Sequence, residues 1–172
     1  FELTSGGTFD VDEYQWEISG LKTGWNQVRL AFAEAKTKGN PNLKGLNFMR
    51  LTGQISGEAV IILDDIRAIA NAGEIVPDGT TVDTEVDGMI FSGDSFKYVS
   101  VYSESLYEIT REEGEYVQGT GAFKSTGAGQ IRLQGKLKEA KDISAYQEGG
   151  IEFLLYLRDK SLLKATALLV EL

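Results

Sequence analysis

Short runs in which apolar and polar residues alternate at every second position recur along the chain, each bounded by Gly, Asn, Asp or Ser. That period is the mark of half-buried β-strands. Glu13 to Ile18 sets Tyr14, Trp16 and Ile18 on one face and Gln15 and Glu17 on the other, and Gln27 to Phe32 sets Val28, Leu30 and Phe32 against Gln27, Arg29 and Ala31. Leu46 to Leu51 alternates less cleanly, whereas Ala59 to Ile69 is apolar enough for a fully buried strand. Met89 to Phe91, Phe96 to Tyr102, Gly121 to Ser125, Gln130 to Lys136, Gly150 to Arg158 and Ala165 to Leu172 bring the expectation to about ten strands with turn signals between them. Ala33 to Lys38 and Lys136 to Lys141 each read as a turn or two of helix. The segment Ala70 to Gly88 is polar, acidic and rich in Gly, Thr and Asp, and reads as an inter-module linker in preference to a long surface loop. The expected class is all-β.

Composition narrows the chemistry. A chain of 172 residues suits one sandwich, and 20 glycines beside 2 prolines suit many tight turns. The net charge of −9 repels phosphate backbones, so nucleic acid is not an expected partner. Cysteine and histidine are both absent, which removes thiolate nucleophiles, the Ser-His-Asp triad and the usual zinc ligands. Carboxylate pairs do occur, at Asp10, Asp12 and Glu13, at Glu104 and Glu108, and at Glu112, Glu113 and Glu115. Acids adjacent in sequence within turns are solvated surface more often than two walls of a catalytic cleft, so no enzyme is expected. No apolar run is long enough to span a bilayer, so no membrane insertion is expected. The start at Phe1 without methionine suggests a processed or excised piece of a longer protein.

A series of short motifs carries a family likeness. Gly119 to Ser125 (GTGAFKS), Asp142 to Tyr146 (DISAY), Ile151 to Arg158 (IEFLLYLR) and Ala167 to Leu172 (ALLVEL) follow one another in the second half; Tyr14 to Ile18 (YQWEI), Leu21 to Leu30 (LKTGWNQVRL), Leu46 to Arg50 (LNFMR) and Ile62 to Arg67 (ILDDIR) do so in the first. Read in that order, the series resembles the β-jelly-roll carbohydrate-binding modules of bacterial glycanases and surface proteins, of the galactose-binding-like type. In that family a GxGxFK strand opens the module and an (I/L)DDI strand closes it.

Here the order is reversed. Residues 1–69 match the C-terminal half of such a module, residues 70–88 stand as linker or loop, and residues 89–172 match the N-terminal half. Val170-Glu171-Leu172 also echoes Phe1-Glu2-Leu3. Three arrangements follow: one period of a tandem array cut in mid-module, a circular permutant closed on itself, or a module completed by strands of a neighbouring copy. In each the chain carries one sandwich's worth of strands, because half a sandwich would expose an unpaired edge and an apolar face.

The resemblance implies a non-catalytic glycan-binding module of an extracellular or cell-surface protein. The alternative is a structural repeat of a surface fibre or adhesin, assembled by strand sharing without a glycan. The outward residues expected to contact a polysaccharide are Tyr156, Arg158, Arg50, Gln15 and Gln27, since aromatic planes stack on sugars and Arg and Gln bond their hydroxyls. Trp25, in Gly24-Trp25-Asn26, reads either as a sugar-stacking platform or as a structural cover over one end of the core. In the family an aspartate at the Asp64-Asp65 position helps hold a structural calcium; the opening segment Arg111 to Gly119 offers Glu112, Glu113 and Glu115 as further oxygen donors, and the alternative is a solvated edge with Asp65 capping a turn.

Overall fold

The computed structural model describes residues 1–70, 88–101, 106–164 and 167–168. Most of the segment expected to be linker, and the end of the chain apart from Ala167 and Leu168, lie outside the described residues. The protein is all-β. Among the described residues the strands are β1 (Glu2–Thr4), β2 (Glu13–Gln15), β3 (Ile18–Ser19), β4 (Gly24–Ala31), β5 (Lys36–Lys38), β6 (Leu46–Ile69), β7 (Met89–Phe91), β8 (Val99–Val101), β9 (Tyr107–Thr110), β10 (Ala122–Lys141), β11 (Gly150–Leu157) and β12 (Ala167–Leu168).

The spine is an antiparallel ribbon of two long strands. β6 pairs with β10 from Leu63↔Phe123 to Leu46↔Lys141. The other edge of β6 carries β1 along Phe48–Arg50 and β11 along Ile61–Ile69. The sheet runs on through β2 and β5 at one end and ends on β4 at the other. β8 and β9 extend the outer edge of β10. Along β4–β11–β6–β10, strands from residues 1–69 and from residues 89–157 therefore alternate within one sheet of one chain.

The sheet curls until its inner faces meet. Phe1, Leu3, Met49 and Leu51 from one part share a buried cluster with Ile61, Leu63, Phe153 and Leu155 from the other, and the Phe1 and Phe153 rings lie 4.7 Å apart. Each such side chain stabilises the fold by roughly 1.5–3 kcal/mol through removal from water. The alternation read from the sequence holds here: Trp16, Ile18, Val28, Leu30 and Phe32 are in this core.

Three local readings change. Residues 46–51 and 59–69 are one continuous strand, and so are 121–125 and 130–136. The stretch Lys136 to Lys141 is strand rather than helix, because Lys136 pairs with both Phe48 and Ser100. Of Ala33 to Lys38, a 3-10 turn covers only Phe32–Glu34, and Lys36–Lys38 pairs with β2.

One irregularity positions the site. Asp64 pairs with Leu154 and Arg67 with Glu152, so Asp65 and Ile66 together face Phe153. This β-bulge holds Asp65 at φ 54, a left-handed conformation that Asp tolerates better than most residues. It also reverses the alternation: Ile61 and Leu63 point into the core before it, Ile66 and Ala68 after it. Asp64, two residues after Ile62, lies on the outer face just before the bulge.

Candidate functional site

The outer face of the β4–β11–β6–β10 region is not open to solvent throughout. Val60, Ile62 and Ala122 form a second, small buried cluster there, with Trp25, Tyr116 and Tyr156 packed on it. The connection between β9 and β10, residues 111–121, crosses this face as a strap. Trp25 and Tyr156 meet with ring centroids 5.4 Å apart at 58°, and the Trp25 indole Nε1–H donates to the Gly114 carbonyl of the strap at 3.1 Å. Glu115 accepts hydrogen bonds from Lys124 at 2.7 Å, Thr110 at 2.7 Å and Arg158 at 3.1 Å. Burial alone would raise the Glu115 pKa, but its bonds to Lys124 and Thr110 and the charges of Lys124 and Arg158 hold it below the usual value.

The C-terminal end of the strap is tied to two buried acids. Asp64 Oδ2 accepts the backbone N–H groups of Val117 at 2.8 Å and Gln118 at 2.9 Å. Asp94 Oδ1 accepts the backbone N–H of Thr120, and also its hydroxyl at 3.2 Å. Both side chains are sealed, Asp64 at 0% and Asp94 at 2% exposure. Asp64 Oδ1 has no hydrogen-bond partner among the described residues, and such an orphan is costly in a dry setting. Two glycines let the backbone pack directly against these carboxylates. A Cβ on Gly93 would fall 3.2 Å from Asp64 Oδ1, and one on Gly119 would fall 2.3 Å from both Asp94 oxygens. Burial pushes Asp64 up to about 6; the Gln118 and Val117 N–H groups oppose this, the Asp94 charge adds to it, and Arg67 opposes it.

The four acids expected at a calcium site divide. Asp64 sits as described. Asp65 pairs with Arg67, and its Oδ1 is buried without a partner. Glu113 is exposed on the strap, and Glu115 spends its oxygens on three donors. Asp94, which the sequence reading did not single out, stands nearer the requirement. An orphaned buried oxygen, a second buried carboxylate and the Leu63 carbonyl oxygen, which with Asp64 Oδ1 lies against Gly93, are donors of the kind a hard cation takes.

Tyr156, Arg158 and Trp25 thus converge under one strap, while Arg50 and Gln15 lie elsewhere, on β6 and β2. Arg50 binds Glu2 through two hydrogen bonds, one of 2.7 Å from Nη2. It also stands 3.4 Å from Asp10 and 4.6 Å over the Phe9 ring. Gln15 donates to Glu13, and Glu13 accepts the Asp10 backbone N–H at 2.8 Å. Glu2, Asp10 and Glu13 bring carboxylate oxygens within 4.8 Å of one another. Arg50 and these internal donors already serve them, so the cluster reads as a structural network.

A cleft of about 550 Å3 runs between β4 and residues 17–22. Trp25 stands on its wall with Lys22, Gln27, Arg29, Glu17 and Glu34. Gln27 and Arg29 are held by the buried Glu152, Gln27 at 2.9 Å. The Asn26 amide fixes the preceding turn, accepting from the Lys22 N–H at 2.8 Å and donating to its carbonyl at 2.9 Å. The sequence offered no sign of Glu152, Tyr116 or Asp94, because each acquires its role from a strand or loop distant along the chain. Among the described residues no helix is long and apolar enough to cross a membrane. No protein-family model matches the chain, and comparison with curated proteins and with solved structures likewise yields no match.

Proposed function

We propose that the chain is a non-catalytic carbohydrate-binding module of jelly-roll type, belonging to an extracellular or cell-surface protein, and that it holds a polysaccharide in the cleft beside Trp25. The observation that carries this reading is the contrast between the two tryptophans. Trp16 is sealed at 4% exposure, whereas Trp25 is half-buried on the wall of a cleft that also carries the polar side chains of Ser19, Lys22, Gln27 and Glu34. Indole faces stack on the apolar faces of sugars, and a cleft of this size lies in the range for small-ligand sites. The acidic charge of the chain favours a neutral glycan over a polyanionic one.

Catalysis is disfavoured by the acids in the cleft. Glu17 is bonded to Lys36, whose hydrogen bond and charge hold its pKa below the usual value, the wrong direction for a general acid. A structural calcium at Asp64 and Asp94 belongs to this proposal. It would neutralise two buried carboxylates and hold the strap, with no part in chemistry. Affinity electrophoresis and a glycan array test the reading. Wild-type protein is expected to be retarded by at least one neutral polysaccharide and Trp25→Ala is not; silence of the wild type across plant, bacterial and host glycans would sink it.

The open edge of β4 favours a second reading, a fibre or adhesin repeat built by strand sharing. Phe32 N–H bonds Gly149 O, and Ala31 O accepts the Trp16 indole. The even-numbered residues of β4 therefore face β11, and the backbone N–H and C=O of Trp25 and Gln27 point to the edge with which no described strand pairs. Light scattering after size exclusion decides: a strict monomer at all concentrations removes strand sharing.

A further inference from the structure

We infer that the 111–121 strap couples two sites: a divalent cation held at Asp64 and Asp94 fixes the strap, and the strap in turn sets the position of the Trp25 indole at the cleft. This rests on the reading of Trp25 as the ligand platform, and adds its regulation.

The ties show how the coupling runs. At its C-terminal end the strap hangs on the two acids, through Val117 and Gln118 to Asp64 and through Thr120 to Asp94. At its N-terminal end Arg111 closes it on itself, donating to the Thr120 carbonyl at 2.6 Å and to the Asp94 carbonyl at 3.1 Å. Between these ends Gly114 accepts the Trp25 indole N–H and Glu115 accepts Arg158. Its apolar anchorage is small: Tyr116 packs on the second cluster, while Val117 is 46% exposed. The strap is therefore held chiefly by polar bonds, to Asp64 and Asp94 at its C-terminal end and from Lys124, Thr110 and Arg158 to Glu115 at its middle.

Without a cation, Asp64 keeps an orphaned buried oxygen near a second buried carboxylate, Asp94. Arg67 is the nearby cation, but its Nη2 is engaged by Asp65. A divalent ion seated against Asp64 Oδ1 partners that orphaned oxygen, fixes the carboxylate that holds the ties at 117–118 and so restrains Gly114, three residues before Val117. A first ligand that orders a shared element lowers the ordering cost for a second, which is positive coupling between the sites.

The test reads Trp25 directly and needs no glycan. The chain holds 2 tryptophans, so Trp16→Phe leaves Trp25 as the sole indole. Calcium added to chelator-stripped Trp16→Phe protein is expected to shift the emission and reduce acrylamide quenching in a saturable way. The same titration is expected to be silent in Trp25→Phe and in Trp16→Phe carrying Asp64→Asn or Asp94→Asn, with circular dichroism verifying the fold. Should Trp16→Phe not fold, acrylamide quenching of the wild type serves, because the buried Trp16 contributes little to the quenchable signal. Calcium that raises the melting temperature while leaving Trp25 unmoved would overturn the coupling, and calcium that does neither would overturn the cation site with it. In a glycan-binding preparation, chelation is expected to weaken retention by about fivefold or more. A Trp25 response without glycan binding would leave the coupling standing and remove the proposed ligand.

Discussion

At the scale of single residues, Asp64 makes stability depend on pH in a direction opposite to that of most surface carboxylates. Its folded pKa of about 6 lies above the ordinary 3.8. Between these values the folded protein keeps a proton that the unfolded chain has released, so stability falls as pH rises through this window and then levels off. The span corresponds to about 3 kcal/mol. Glu2, raised chiefly by burial against the opposing Arg50 bond, acts in the same direction. In chelator, the melting temperature of wild type relative to Asp64→Asn is expected to be higher near pH 5 than near pH 7; the buried Phe1 amino group, whose pKa burial lowers to about 5, titrates alike in both proteins and cancels from this difference. Calcium should raise the melting temperature of the wild type alone, and more at pH 7 than at pH 5. An Asp64→Asn protein with the same pH profile as wild type in chelator would remove Asp64 from this role. Arg50 gives a second expectation. Truncation to alanine leaves Glu2 buried without its partner, which costs about 3–5 kcal/mol. Adding Glu2→Gln should recover much of that in urea unfolding, whereas equal losses in the single and double variants would show that the pair is not the cause. Of the site residues, Asp64 and Trp25 stood out in the sequence because each interrupts a local pattern, a charge within an apolar strand and an aromatic within a turn. Asp94 interrupts nothing in Ser92-Gly93-Asp94-Ser95 and gained its place only from folding against the strap.

At the scale of elements, β4, β7 and β11 were legible, β1 and β9 went unread, and the unbroken length of β6 and β10 was not visible. Thr52 to Gly57 (TGQISG) carries two glycines and a serine and has the composition of a turn. So does Thr126 to Gln130 (TGAGQ). In the fold Gly53 pairs with Ile131 and Ala59 with Gly127, so these two stretches lie against each other and each keeps the other extended. Gly129, at φ 79, takes up the register shift between Ala128 and Gln130. A local reading has no access to partners 68 residues (Ala59 to Gly127) and 78 residues (Gly53 to Ile131) away. The helix readings failed for the same reason: Lys, Glu and Ala favour helix locally, but Lys136 and Lys141 are fixed by β6. The tightest junction of elements is where β11 leaves its turn beside the end of β6. A Cβ on Gly149 would fall 1.9 Å from the Ile69 carbonyl oxygen. Gly149→Ala must therefore displace backbone, and a loss of about 1–3 kcal/mol or more is expected in chemical denaturation. Gly20→Ala is the comparison, since nothing lies within 4 Å of its added methyl and only its φ of +71 opposes the change. A Gly149→Ala loss no greater than that of Gly20→Ala would mean that this junction is looser than the contact implies.

At the scale of the whole molecule, neither half of the chain owns a complete sheet. β6 comes from the first half, and its two long neighbours, β10 and β11, come from the second. Cut between residues 70 and 88, the first piece would expose most of both edges of β6, together with Ile61 and Leu63 on one face and Val60 and Ile62 on the other. The second piece would lose the strand that joins β10 to β11. An unpaired edge beside an apolar face aggregates or unfolds. Each piece alone is expected to show no cooperative unfolding and little amide dispersion, while the two co-expressed are expected to recover the wild-type spectrum with a melting temperature below that of the intact chain, because joining becomes bimolecular. The cation and ligand sites divide along the same line. Trp25 and Asp64 come from the first piece, and Tyr156, Asp94 and the strap come from the second. Calcium-dependent emission from Trp25 should accordingly be absent from the first piece alone and return only on reconstitution. A first piece that by itself unfolds cooperatively and responds to calcium would show that the β6–β10 ribbon is not what holds the two sites together.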